Sequence, residues 1–396
     1  MFPKLRFKEF DGDLTESKLV ELTSWASGGT PAKDVPEYWG DGIPLISGAS
    51  MHTNQLYESD VKITKLGLQK GSKLALKDSI LILVRGSMLF NKIPMGITLG
   101  DVAFNQDVKC IRPKQQLAPL FLFQWLHAKE NTIQNKVTAT GIGAGKLDTA
   151  DLQNLKLYKP SLEEQTKIAT FLSAVDEKIS QLTQKHQLLR EYKQGMMQKL
   201  FSQQVRFKAD DKSEFEEWEE KELKDIAEIN PKSKKLPESF IYIDLESVEK
   251  GQLLLQKNIE LQDAPSRAQR LLAKGDVLFQ MVRPYQQNNY YFNLSGEYVA
   301  STGYAQIRTK LDSKFIYYAL HEKTFLDEVM NRCTGTSYPA INSSDLSSIE
   351  ILIPCLEEQT KIANFLSSID QKIEVVAQQI EQAKQWKKGL LQQMFI

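Results

Sequence analysis

The chain has 396 residues, 41% of them hydrophobic, which is too long for one compact core and rich enough to fill two or more. Fifty Lys+Arg balance fifty Asp+Glu, so no global charge marks a nucleic-acid or membrane binder, although a neutral total can hide a local basic patch. The cysteines, Cys110, Cys333 and Cys355, are too widely spaced for a zinc or redox motif, and no metal or cofactor is expected.

The chain opens with "MFPKLRFKEFDGDL", which lacks the apolar core of a signal peptide. No apolar run approaches the ~20 residues of a membrane span, so a soluble cytoplasmic protein is expected. The next stretch, "SWASGGTPAKDVPEYWGDGIPLISGASM", is rich in Gly and Pro and reads as loops and short strands. Residues 79–86 and 101–113 read as strands and 117–137 as a helix. A long helical segment follows Pro160. A polar linker, "SQQVRFKADDKSEFEEWEE", leads into a second region of the same plan, with strands at 276–284 and 297–309 and a helix at 313–333. A second long helical segment follows Pro354.

The two long segments are copies. "LEEQTKIA" occurs at Leu162–Ala169 and again at Leu356–Ala363, and Pro160–Phe201 aligns without a gap on Pro354–Phe395 with 20 of 42 positions identical. "LRFK" at Leu5–Lys8 likewise resembles "VRFK" at Val205–Lys208, whereas residues 20–135 and 225–330 have little in common. Each copy starts after a proline, with Ser161 as N-cap in the first and two glutamates in the first turn of both. Apolar residues recur at alternating steps of four and three: Ile168, Leu172, Val175, Ile179, Leu182, with Met196 and Leu200 near the end, and in the same phase Ile362, Leu366, Ile369, Ile373, Val376, then Leu390 and Met394. That is a heptad seam. Helices of about 60 Å, at 1.5 Å per residue, cannot bury such a seam within one small domain, so they are expected to pair. Polar His186 and Lys193 on the seam mark register, or His186 acts as a pH switch. Antiparallel pairing gives a pseudo-twofold axis, which suits a target of two dyad-related half-sites, a recurrent arrangement on duplex DNA. The fold class expected is α+β: two α/β domains, 1–158 and 203–352, separated by two long antiparallel coiled-coil helices, 159–202 and 353–396.

These features resemble one family, the specificity (S) subunit of type I restriction–modification systems. The resemblance rests on "GGTP…PEYW…IPLISG" from Gly28, on "SILILVRGS" from Ser79, and on "TG…L…DL" followed by "P.LEEQTKIA" in both halves. It implies that each variable region is a target recognition domain reading one half of a split double-stranded DNA site. It also implies that the helices act as spacer and dock for two methyltransferase (M) subunits, that restriction (R) subunits join the complex, and that this chain carries no catalysis. The residues agree: there is no "NPPF" or "DPPY" tetrapeptide and no Walker loop. "TGIGAGK" (Thr140–Lys146) is glycine-rich, but its counterpart "TGTSYPA" is not, so it reads as a loop beside DNA or a plain turn rather than a phosphate cradle.

Base edges are read by Arg, Lys, Asn and Gln, and phosphates by Lys, Arg, Ser and Thr. In the first domain the candidates are Arg85, Ser87, Asn91 and Lys92 after one strand, and Asn105, Gln106 and Lys109 further on. In the second domain "RPYQQNNYY" supplies Arg283, Tyr285, Gln286, Gln287, Asn288 and Asn289. This is the strongest candidate, since an amide makes paired bonds to adenine, though Asn also favours plain turns. Arg267, Arg270, Ser301 and Thr302 are further candidates. "KSKK" (Lys232–Lys235) is a solvated charge run or a phosphate contact. For docking of M subunits the repeated Glu163, Glu164, Gln165 and Glu357, Glu358, Gln359 are candidates, with helix capping as the other reading. The reading from another functional class is a coiled-coil scaffold joining two protein-binding domains without DNA.

Overall fold

The computed structural model describes residues 3–141, 143–232 and 235–395. Its contacts divide into two units, Met1–Thr183 with Gln378–Ile396, and Gln184–Ala377. Each unit therefore takes half of each long helix.

In the first unit, "ILIL" at Ile80–Leu83 is buried on every residue, which is why it reads as an unbroken apolar run rather than an alternating one. It sits at the centre of a five-stranded sheet in the order Thr23–Ser27, Val108–Pro113, Ile80–Leu83, Met95–Thr98, Gln55–Leu56. A second sheet runs Lys62–Ile63, Trp39–Ile46, Val102–Phe104, Lys73–Ala75. Gly28 lies where these parts meet. A Cβ there would stand 2.1 Å from the Phe104 carbonyl oxygen, so only glycine permits the approach. Thr15–Lys18 pairs antiparallel with Lys156–Lys159 and ties the two ends of the domain together.

The second unit repeats the plan. One sheet runs Ala227–Ile229, Tyr304–Thr309, Val277–Gln280, Tyr290–Tyr291, and another runs Lys257–Glu260, Ser239–Ile243, Tyr298–Ser301, Ala268–Leu271. Glu219–Glu222 pairs with Glu350–Ile353, as Thr15–Lys18 does in the first unit.

Two expectations change in detail. The strands expected at 101–113 and 297–309 each break at a polar corner and pass from one sheet to the other. Asn105 Oδ1 accepts from the Asp107 amide at 3.1 Å, and Ser301 Oγ from the Gly303 amide at 3.1 Å. These side chains replace ladder partners at the bend. The helices expected at 117–137 and 313–333 are each two helices: Pro119–Ala128 and Glu130–Gln134, then Ser313–Ala319 and Lys323–Asn331. The first pair breaks where Lys129 leaves helical geometry (φ −94, ψ 4). In the second, the Glu322 carboxylate caps a new helix by accepting from the Thr324 and Phe325 amides.

The copied segments are helices Leu162–Phe201 and Leu356–Met394. Ser161 Oγ accepts from the Glu164 amide at 3.3 Å, the expected N-cap. Within each unit the start of one helix packs antiparallel on the end of the other. In the first unit Ile168, Leu172 and Val175 share a core with Leu390 and Met394. In the second, Ile362, Leu366 and Ile369 share one with Leu200. The contacts repeat at the same offset. Phe395 packs on Phe121 at 5.4 Å and Phe201 on Phe315 at 5.6 Å between ring centroids. Trp386 meets Phe171 at 6.0 Å, and Tyr192 meets Phe365 at 6.5 Å.

The polar seam position is also satisfied twice. Lys387 Nζ donates to Asp176 Oδ1 at 2.6 Å, and Gln124 donates to the other oxygen at 2.8 Å. Lys193 Nζ donates to Asp370 Oδ1 at 2.6 Å, and the Tyr318 hydroxyl to the other oxygen at 2.7 Å. Burial, with the Asp370 carboxylate beside it, pushes the Tyr318 hydroxyl far above its ordinary range, so it stays protonated and donates. Lys193 therefore marks register, as expected. A helix pair shifted by one turn would leave both Lys–Asp partners unmatched.

Because Leu390 belongs to the first core, Leu390→Ala should destabilise the first unit by about 2–5 kcal/mol. Hydrogen exchange should then speed up at Phe121–Leu126, although these residues lie far from position 390 in sequence, while amides of Phe315–Ala319 keep their protection.

A fragment of residues 1–205 lacks the Leu390–Phe395 segment that its domain needs, but carries Met196, Leu200 and Phe201 at the matching positions. Two copies should pair, each Asp176 meeting the Lys193 of its mate. Sedimentation should show a dimer that weakens on Lys193→Glu, and a stable monomer would contradict the equivalence of the two helix pairs.

Candidate nucleic-acid interface

In the first unit the strand Ile80–Leu83 runs out through Val84 and Arg85 into a tight turn at Ser87–Phe90. Gly86 takes φ +142, a left-handed-side conformation open to glycine, and its amide donates to the Gly145 carbonyl at 2.9 Å. Arg85 forms a bridge with Lys146. "TGIGAGK" is thus a hairpin, with Thr138–Ala139 paired to Gly145–Lys146, laid against the turn Ser87–Phe90. Ile142 lies outside the described residues. Arg85, Ser87, Asn91, Lys92 and Lys146 are all exposed on this edge.

The second unit builds the same edge from different letters. The Arg283 amide donates to the Pro339 carbonyl at 2.7 Å, as Gly86 does to Gly145, and Ile341 bonds Met281 as Leu147 bonds Val84. Arg283 therefore stands where Gly86 stands, and Val282 stands where Arg85 does. Arg283 (φ +55) and Gln287 (φ +51) bracket the turn Pro284–Gln286 in left-handed geometry. Such strain in side-chain-bearing residues gathers at functional sites. The Arg283 guanidinium lies 4.3 Å over the Tyr338 ring, a cation–π stack that holds the hairpin 334–340 to the turn. Tyr285 is 51% and Tyr338 63% exposed, so both aromatics face solvent.

The structure separates the remaining candidates. Asn289 is buried, with Oδ1 accepting from the Gln280 amide at 2.8 Å and Nδ2 3.4 Å from His321 Nε2. Burial lowers the His321 imidazole below its ordinary value, which keeps it neutral. Asn288 Oδ1 accepts from the Lys250 amide at 3.0 Å. Ser301 is buried, and Asn105 is half-buried as a corner former. These four side chains hold the loops in shape. Gln287 and Thr302 are half-buried. Exposed Gln106 accepts from Thr30 at 2.7 Å, and Lys109 donates to Ser27. Arg267 is exposed, while Arg270 is half-buried with its Nε unpartnered, and burial pushes its pKa down. Of "KSKK", Ser233 and Lys234 lie outside the described residues.

The copied triplets turn inward. Glu164 and Gln165 are 2% and 0% exposed, Glu358 and Gln359 0% and 1%. Arg6 clamps Glu164 with two bonds of 2.7 Å, and Arg206 clamps Glu358 at 3.2 and 2.8 Å. This is the role of the repeated "RFK". Gln165 accepts from the Ala118 amide and donates to the Pro160 carbonyl; Gln359 does the same with Asp312 and Pro354. Only Glu163 and Glu357 of the six are exposed.

Reading by sequence passed over Lys146, Tyr338 and Gln280. The aligned "TGIGAGK" and "TGTSYPA" were the signal for the first two, since both occupy one hairpin. Gln280, the polar end of an otherwise apolar strand, was the signal for the third. Among the described residues no cluster of His, Cys, Asp and Glu could hold a metal, and no helix is long and apolar enough to cross a membrane.

The comparisons with known proteins bear on this architecture. Residues 12–190 and 215–385 each match the family model described as type I restriction modification DNA specificity domain. The chain is 27% identical over 409 residues to the type I restriction enzyme MjaVIII specificity subunit of Methanocaldococcus jannaschii, covering 97% of this chain and 94% of that one. It is 29% identical over 182 residues to the EcoR124I/EcoR124II specificity subunit of Escherichia coli, covering 46% and 45%. A crystal structure of the type I restriction–modification S subunit from M. genitalium superposes with a TM-score of 0.62 at 17% identity, covering 100% of this chain and 99% of that one. With the duplicated domains, the copied helices and a family match over both halves, the chain belongs to the type I restriction–modification DNA specificity family.

Proposed function

We propose that the chain is the non-catalytic sequence-specificity subunit of a type I restriction–modification complex. Residues 1–158 form one recognition domain and 203–352 the other, each reading one half of a bipartite duplex DNA site. The helices at 159–202 and 353–396 set the spacing and dock two methyltransferase subunits, and restriction subunits join through that complex. Exposed Glu163 and Glu357, at equivalent helix starts, are the acidic contacts available to two identical partners.

One observation carries the reading. The two domains share a strand, a turn and a hairpin at the same edge, but present different side chains there: Arg85, Asn91, Lys92 and Lys146 against Tyr285, Gln286 and Tyr338. A conserved scaffold would be paired with a different reading surface in each half. Binding by the assembled complex should fall steeply with salt, because phosphate contacts release counterions. A scaffold joining two protein-binding domains would show no duplex binding at any salt.

Two substitution experiments follow. Gln286→Ala should relax one position of the second half-site by about 1–3 kcal/mol, and Arg85→Ala one position of the first, each read by mapping methylated sites on a randomised library. Uniform weakening at all sequences would place the residue on phosphate instead.

Replacing residues 10–145 by the same segment of another family member should change one half-site and leave the other and the spacer length intact. A simultaneous change in both half-sites would contradict independent domains.

A further inference from the structure

We infer that Gln280 fixes which hydrogen-bonding group Gln286 can offer to DNA, and so sets the base that the second domain reads there as guanine. The inference rests on the proposed DNA-reading role of this turn.

Gln280 is 2% exposed and ends a strand whose other residues, Val277, Leu278 and Phe279, are apolar and buried. At the equivalent place in the first unit stands Leu83. A buried amide must find partners, and Gln280 finds all of them in the recognition turn. Its Oε1 accepts from the Asn288 amide at 3.0 Å. Its Nε2 donates to the Val282 carbonyl at 2.8 Å and to Gln286 Oε1 at 2.9 Å.

The orientation of these amides does not depend on telling N from O by eye. The Asn288 N–H can only donate, so it meets the oxygen of Gln280. The Val282 C=O can only accept, so it meets the nitrogen. The second proton of that nitrogen then points at Gln286 and selects its oxygen. Gln286, exposed at the tip, is left with its side-chain oxygen turned inward and its NH₂ group outward, and that NH₂ has no hydrogen-bond partner among the described residues.

A free glutamine pairs with adenine by accepting from N6 while donating to N7. Gln286 held in this way turns only its protons outward. In the major groove guanine alone presents two adjacent acceptors, N7 and O6, and a doubly donating NH₂ matches that edge. The adenine pairing expected from the sequence alone needs the amide oxygen on the outward side, and Gln280 holds it inward.

Gln286→Glu tests this without touching a buried residue. One carboxylate oxygen accepts from Gln280 as before, and the other faces DNA as an acceptor, the complement of cytosine N4 or adenine N6. The probe is the full chain assembled with its methyltransferase partner, with methylated sites mapped on a randomised DNA library. The wild type should show guanine at the one second-half-site position that responds to Gln286. Gln286→Glu should shift that position to cytosine or adenine by at least about tenfold, leaving the first half-site unchanged. Gln280→Met, which frees the Gln286 amide to rotate, should admit adenine there. A wild-type adenine or cytosine at the responsive position, or a Gln286→Glu profile identical to wild type, would overturn the inference while leaving the specificity-subunit reading in place. A wild-type complex that selects no bipartite site would overturn both.

Discussion

Each recognition domain depends on the far end of the other copy's helix. Phe121 and Phe315, at corresponding positions in the two domains, are fully buried, and each is covered by an aromatic residue that closes a long helix: Phe395 for the first, Phe201 for the second. A lone helix bearing such a seam exposes an apolar stripe that water penalises, and a lone domain exposes the surface that the stripe would cover. The two needs are met by one antiparallel packing, repeated. The Lys387–Asp176 and Lys193–Asp370 pairs contribute register more than net stability, since partly buried ion pairs roughly offset their desolvation. They make every sliding of one helix along the other unfavourable.

The clamped glutamates extend that constraint to the chain ends. Glu164 and Glu358 are almost wholly inaccessible, and a carboxylate in that state requires a cation with several donors. Arg6 and Arg206 supply it from the segment that opens each domain. Phe7 and Phe207 then pack on Phe171 and Phe365 at 5.8 and 5.7 Å between ring centroids. The short "RFK" sequence is therefore part of the helix pairing, and its duplication has the same cause as the duplication of "LEEQTKIA".

Much of this was legible in the sequence because it is written twice. The heptad phase and the pairing of helices follow from the repeat at a fixed offset, and the Ser161 cap from its place between Pro160 and the first helical turn. The inward turn of Glu164 and Gln165 was not legible. Glutamates in a first helical turn are ordinarily solvated dipole partners, and nothing local distinguishes Glu163, which is exposed, from Glu164, which is clamped; Arg6 decides it from a distant segment. The candidate reading surface was half legible for a similar reason. "RPYQQNNYY" stood out by composition, but four amides in a row look alike until the fold sends Asn289 inward, ties Asn288 to Lys250 and leaves Gln286 at the surface. The break of each domain helix also escaped notice, because periodicity continues smoothly across Lys129 and across Glu322.

The central claim is that two unlike reading edges on a duplicated frame recognise one split DNA site. It is tested most directly by sequencing the methylated adenines in a host that expresses this chain with its methyltransferase partner. The account expects a single motif of two dissimilar half-sequences separated by an unread spacer of constant length. Methylation at a continuous motif, at two motifs with no fixed separation, or at sites that do not depend on this chain would contradict it.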